Sequence, residues 1–178
     1  GGVMKSEIEK DFTHYTIPTL KITKRDPVST MKTIRKIRNI IKKEKINTIH
    51  AHNAAAAYCA YLASRGLRWK VQITHSVRGM ELRPKYQWRN WIYRLYPATF
   101  FAVSGFTEKM LLDVGVKSEK IIKTYNGVDI SKFDPSKHDG KTIRDEIGIS
   151  DDVLLIGQVG AFTTNQCGSK GQSVLIEA

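Results

Sequence analysis

The sequence predicts an α/β fold: a parallel sheet with flanking helices, then the first strand and helix start of a second unit of the same kind. Two observations predict it. Short apolar runs alternate with stretches of helical spacing from Asn47 to Tyr125. Strands separated by helices need crossover connections, and crossovers make the strands parallel. After a polar stretch rich in Asp and Lys (134–152), the run Leu154-Leu155-Ile156-Gly157-Gln158-Val159-Gly160 begins the strand-then-glycine pattern again.

Each element has its own signal. Tyr15-Thr16-Ile17 reads as a short strand ended by Pro18, which has no N–H to donate. Met31, Ile34, Ile37, Ile40 and Ile41 recur at helical spacing among lysines and arginines, giving an amphipathic helix over 29–44. Asn47 to His52 reads as a buried strand, followed by an alanine-rich helix through Leu62. Lys70 to Thr74 is the next strand. A loop rich in Arg and Pro, Arg78 to Pro84, leads to an aromatic helix over 86–96. Phe100 to Val103 is a strand, Thr107 to Val114 a helix closed by Gly115, Lys120 to Tyr125 a strand, and Val153 to Val159 another. The predicted organisation is a Rossmann-like domain over 1–130 lacking its first strand, a linker over 131–152, and the start of a second Rossmann-like domain over 153–178. The chain opens Gly1-Gly2 and stops at Ala178 in helical sequence, as a piece of a longer protein would.

Composition narrows the class. Of the 178 residues, 41% are hydrophobic and 26% charged, ordinary for a globular protein, but the net charge is +12. That excess favours an anionic partner: nucleic acid, an acidic lipid surface or a phosphorylated substrate. Cys59 and Cys167 are far apart and form no metal or disulfide pattern, which points to a reducing compartment. The longest apolar run, Ala54 to Ala63, falls short of the roughly twenty residues of a spanning helix.

Parallel sheets bind ligands at the carboxyl ends of their strands. The candidates are therefore His52-Asn53, His75-Ser76, Ser104-Gly105, Asn126-Gly127 and Gly160-Ala161. A histidine at a strand end, as His75 is predicted to be, can bond a sugar hydroxyl or stabilise developing charge; the alternative is a plain surface histidine. His50 and His52 face the same side of a strand, but no carboxylate or cysteine stands near to complete a metal site. Lys170-Gly171 opens a helix whose free N–H groups, with the lysine charge, suit an anion. In Tyr86 to Tyr96, Trp88, Trp91, Ile92 and Leu95 share one face of an α-helix. With Arg89 and Arg94 the segment fits either a bilayer interface or a core-packing helix with a basic outer side.

Taken together, Ile49-His50-Ala51-His52-Asn53, Ile73-Thr74-His75-Ser76, Ala102-Val103-Ser104, Tyr125-Asn126-Gly127-Val128-Asp129, Phe133-Asp134-Pro135, Val159-Gly160 and Lys170-Gly171 occur in an order that resembles the retaining glycosyltransferases of family 4, also called group 1 glycosyl transferases. The resemblance runs along nearly the whole chain. It implies a GT-B architecture of two Rossmann-like domains across a cleft, the residues up to 130 being the acceptor side. It implies transfer of a sugar from a nucleotide-sugar donor with retained configuration, with no metal or other cofactor. Independently, the sequence holds no Asp-x-Asp motif of metal-dependent transferases. The resemblance makes His75 the catalytic histidine beside the reacting sugar and Lys170 the lysine on the leaving diphosphate. His52, Asn53, Ser104, Asn126, Gly127, Gly160 and Gly171 are the implied substrate contacts.

The chain departs from the family pattern in several places. Ala161 stands where the family usually has an arginine on the diphosphate, and the loop 162–169 is unusual. The paired-glutamate motif that holds the donor sugar would lie beyond Ala178. The expectation is that these 178 residues alone transfer no sugar. The expected setting is cell-envelope polysaccharide, lipopolysaccharide or glycolipid synthesis, on a glycan or lipid-linked acceptor. The protein would be cytoplasmic, peripheral at the inner face of the membrane, with Trp88, Arg89, Trp91 and Arg94 in contact. Loops such as Arg78 to Pro84 would choose the acceptor. The competing functions are a non-catalytic basic module for nucleic acid or a membrane surface, and a degenerate transferase; no recognised nucleic-acid module is present.

Overall fold

A computed structural model describes residues 10–20, 26–80, 84–137, 140–160 and 171–177, with backbone alone at 84–87. The chain divides into two compact units, Gly1–Gly127 and Val128–Ala178.

The first unit begins its regular structure with α1, Pro27–Lys43. Pro27 stands in the first turn, where its missing N–H costs nothing. Asp26 caps it, its carboxylate accepting from Val28 N at 3.0 Å and Ser29 N at 3.1 Å. Then follow β1 (Thr48–Ala51), α2 (Ala54–Ser64) and β2 (Gln72–Val77). A 3-10 helix (Pro84–Arg94) leads to β3 (Thr99–Ala102), α3 (Gly105–Asp113) and β4 (Ile121–Lys123). Gly115, at φ +88°, turns the chain out of α3 in a conformation a Cβ would strain.

The four strands form one sheet in the order β1-β2-β3-β4, all parallel. Register fixes which residues share a face. Ala51 pairs with His75 and His75 with Phe100, so these point one way, while His50, Thr74, Ser76 and Phe101 point the other. The first face carries the core, where Ala51, Ile73, Val77, Phe100 and Ala102 meet Ala57 and Ala60 of α2, Leu111 of α3, and Tyr93 and Tyr96. Small residues on α2 let it lie close to the sheet. Arg38 of α1 reaches across to the end of α2, donating to the carbonyls of Ala63 at 2.9 Å and Arg65 at 2.6 Å, groups that helix termini otherwise leave unpaired.

Several expectations change. Residues 15–17 form no strand. They are tied to α1 by side chains instead: Lys43 Nζ donates to Tyr15 Oη at 2.9 Å, and Lys36 Nζ to the Thr16 carbonyl at 2.9 Å. The aromatic segment is a 3-10 rather than an α-helix. β2 runs to Val77, three residues past its expected end at Thr74.

In the second unit, the stretch read as a linker contains α4 (Lys141–Ile147), ended by Gly148 in the left-handed region at φ +69°. Before it, Asp129 and Asp134 each accept from the backbone N–H two residues on, at 3.0 Å, closing tight turns. Residues 153–159 are exposed and form no strand. An isolated strand has no ladder to satisfy its backbone, and no described residue of this unit supplies a partner. Gly171, at φ +74°, precedes α5 (Gln172–Glu177).

Candidate functional site

Because the strands are parallel, their carboxyl ends lie along one edge of the sheet. Two hollows of different chemistry open there, and the turn after β2 borders both.

The more polar hollow, of about 340 Å³, is lined by His50, Ser76, Arg78, Thr124, Tyr125 and Asn126, with Phe101, Val103 and Gly127 beside them. Its floor is the sheet face opposite the core. His50 is exposed, and both its ring nitrogens are engaged: Nδ1 with Thr74 Oγ1 at 2.7 Å and Nε2 with Ser76 Oγ at 2.9 Å. Thr74 Oγ1 in turn donates to the Ile49 carbonyl at 3.4 Å. That direction makes Nδ1 a protonated nitrogen, and Nε2 pairs with the Ser76 hydroxyl. Desolvation, then the neighbouring His52 and Arg78, push the His50 pKa below its ordinary value, which favours the neutral ring. His52 is exposed, with its ring edge-on to His50 at 4.8 Å. The two histidines do share a side, but the His50 nitrogens are spent on hydroxyls.

The apolar hollow, of about 820 Å³, lies between the start of α2 and the aromatic segment, with Asn53, Gly79, Met80, Trp88, Trp91 and Ile92 among its walls. A 3-10 helix places residues three apart above one another, and this one runs unusually long. Asn90, Tyr93 and Tyr96 form a buried column. Trp88, Trp91 and Arg94 form an outer one, with Trp88 57% and Trp91 62% exposed and the Arg94 guanidinium 5.0 Å over the Trp91 ring. Arg89, Ile92 and Leu95 form a third column and line the hollow together with Trp88 and Trp91. The expected four-residue face of Trp88, Trp91, Ile92 and Leu95 is therefore split between two columns.

His75 is not at a strand end. It lies inside β2, only 1% exposed, on the core side. Its Nδ1 bonds Tyr96 Oη at 2.7 Å, and its ring stacks on Tyr93 at 5.6 Å with an interplanar angle of 13°. Burial, then the charges of His50 and His52, lower its pKa to about 4. In this conformation its ring touches neither hollow.

The other expected contacts fall as follows. Asn53 caps α2, accepting from Ala56 N at 2.8 Å, and also lines the apolar hollow. Ser104 caps α3, accepting from Thr107 N at 3.1 Å, and lines neither. Gly160 is exposed in the irregular stretch of the second unit. Lys170, with Ala161 and the loop 162–169, lies outside the described residues. Among the described residues, no three of His, Cys, Asp and Glu gather as metal ligands. No described helix is long and apolar enough to cross a membrane. Arg78 is expected only as the start of an acceptor-choosing loop, not as a strand-end candidate, because the expected strand stops at Thr74. Once β2 runs to Val77, Arg78 is the first residue after a strand and qualifies by the rule that selected the others.

The fold is shared with a solved structure, the crystal structure of a glycosyltransferase from Rickettsia africae ESF-5, at a TM-score of 0.63 and 20% identity. The match covers 86% of this chain and 41% of that one, so the chain spans well under half of that protein's length. No curated protein matches. The Glycosyltransferase Family 4 profile matches residues 5–132, a span that takes in all four strands and both hollows of the carboxyl edge. That span places the chain: it belongs to Glycosyltransferase Family 4.

Proposed function

We propose that this protein transfers a sugar from a nucleotide-sugar donor to a cell-envelope acceptor, a glycan or a lipid-linked one, with retained configuration and no metal ion. The family match over residues 5–132 carries the proposal. The first unit is the acceptor side, and the two hollows on its sheet edge receive the acceptor. Asn126 and Gly127 shape the polar hollow, Asn53 walls the apolar one, and His52 stands beside them at the carboxyl edge. Lys170 and Gly171, with Gly160, serve the donor, Lys170 stabilising the diphosphate as it leaves. Charge develops there in the transition state, so a fixed cation accelerates the step. His75 acts as a positioning residue: it holds Tyr93 and Tyr96, and through Tyr93 the wall of the apolar hollow.

Release of nucleoside diphosphate from a panel of nucleotide sugars, with an envelope lipid extract as acceptor source, measures the reaction in the full-length protein; the 178 residues alone are expected to give none. Lys170→Ala is expected to lower kcat by a factor of about 10², and turnover unchanged in that variant removes Lys170 from the mechanism. Failure of every donor to be consumed removes the proposal itself.

The exposed Trp88 and Trp91, flanked by Arg89 and Arg94, make contact with the anionic inner leaflet of a membrane, where indole rings sit at the headgroup level. Partition onto vesicles containing anionic lipid is expected to fall by about tenfold or more in Trp88→Ala plus Trp91→Ala, roughly 1.4 kcal/mol. Equal partition by the variant rules out this contact.

A further inference from the structure

The polar hollow holds a cation and several hydrogen-bonding groups, and among the described residues no carboxylate lines it. Arg78 supplies the only formal charge among its lining residues. The Asn126 amide and the hydroxyls of Thr124 and Tyr125 add donors. His50 is neutral and fixed by Thr74 and Ser76, so it contributes a polar wall and not a competing charge. A site for a neutral sugar gains from carboxylates, which accept from ring hydroxyls. Such acceptors are missing here, while a planar guanidinium suited to bidentate contact with phosphate oxygens is present. At about 340 Å³ the hollow lies at the low end of the roughly 300–1,000 Å³ of ligand sites. That suits a phosphate, a diphosphate or a phosphorylated sugar better than a whole nucleotide sugar.

We propose that the hollow formed by His50, Ser76, Arg78, Thr124 and Asn126 binds a phosphate or diphosphate group carried by the acceptor, with Arg78 as the residue that selects for it. The inference rests on the carboxyl edge being the acceptor side. The phosphate has two sources, a soluble sugar phosphate or the headgroup of a lipid phosphate. The turn after β2 bears on both: Arg78 lines the polar hollow while Gly79 and Met80 line the apolar one.

The test measures binding, so its outcome is independent of whether any sugar is transferred. The chain is titrated with methyl phosphate and with monomeric decyl phosphate, following the arginine side-chain and histidine ring resonances by NMR. Arg78 is exposed, so Arg78→Gln leaves the fold intact. Both probes are expected to shift the Arg78 and His50 signals, and Arg78→Gln to weaken binding about tenfold. Decyl phosphate binding at least tenfold tighter than methyl phosphate, with the gain lost in Trp91→Ala, identifies a lipid phosphate. Equal binding of the two probes identifies a soluble one. The proposal is overturned if neither probe binds, or if Arg94→Gln, on the outer column of the aromatic segment, weakens binding as much as Arg78→Gln. The latter result would mean that the general positive field of the chain holds the anion.

Discussion

Acidification from pH 7.5 to 4.5 is expected to lower the unfolding free energy by about 2 to 3 kcal/mol through His75 alone. The unfolded imidazole titrates near its ordinary 6.5 and the folded one near about 4. Between those values the unfolded state binds a proton that the native state refuses, so stability rises with pH across the window. It is fully present above about 6.5 and gone below about 4. The cause is geometric: the ring is sealed between Tyr93, Tyr96 and Phe100, and a charge there has no solvent. Asp26 and Asp134, held low by hydrogen bonds, contribute mainly below this window, whereas His50, also held low, adds to the slope within it. Urea denaturation at half-unit pH steps reads the slope. His75→Gln should be less stable at pH 7.5 but flatter between 6.5 and 4.5; a variant with the original slope would assign the acid sensitivity elsewhere.

Leu111→Ala is expected to cost about 3 to 4 kcal/mol, in the upper part of the range for a buried leucine. Leu111 is 0% exposed and belongs to a core rich in alanine that includes Ala51, Ala57, Ala60, Ala98 and Ala102. Alanine neighbours have no rotamers with which to move into a void, so the cavity persists. Its neighbour Leu112 is 43% exposed, and Leu112→Ala should cost less than about 1 kcal/mol. Paired thermal denaturation checks the contrast. Similar costs for the two would mean that α3 does not pack as described.

The strand–helix order, the stop at Gly115 and the edge of the sheet are legible because their causes are local. The Asp26 and Asn53 caps are not among the sequence expectations, which start the first helix at 29 and give Asn53 a ligand to contact. His75 was not legible. The alternation Ile73, His75, Val77 does continue a strand, but a histidine on its core side makes sense only with Tyr96, which lies 21 residues further on. Ending β2 early also kept Arg78 from the strand-end candidates. The failed strands at 15–17 and 153–159 share another cause: β propensity describes fit to a neighbour, and these stretches find no partner strand among the described residues. Apolar spacing alone gave the aromatic segment an α-helical face, since the choice between three and 3.6 residues per turn was made by the tyrosines that contact His75.

The three columns of that segment give the protein an unusual sensitivity to length. The segment behaves as a triangular prism, one side seated on the core, one turned outward and one walling the apolar hollow. Changing a side chain on one side leaves the other two in place. Inserting or deleting a single residue before Trp88 turns the whole prism by about a third of a revolution. An insertion turns the tyrosines outward and seats Ile92 and Leu95 against the sheet, while a deletion seats the tryptophans there and turns the tyrosines to the hollow. Within this stretch, composition can drift one side at a time, while the number of residues between β2 and Tyr93 is held by all three sides at once.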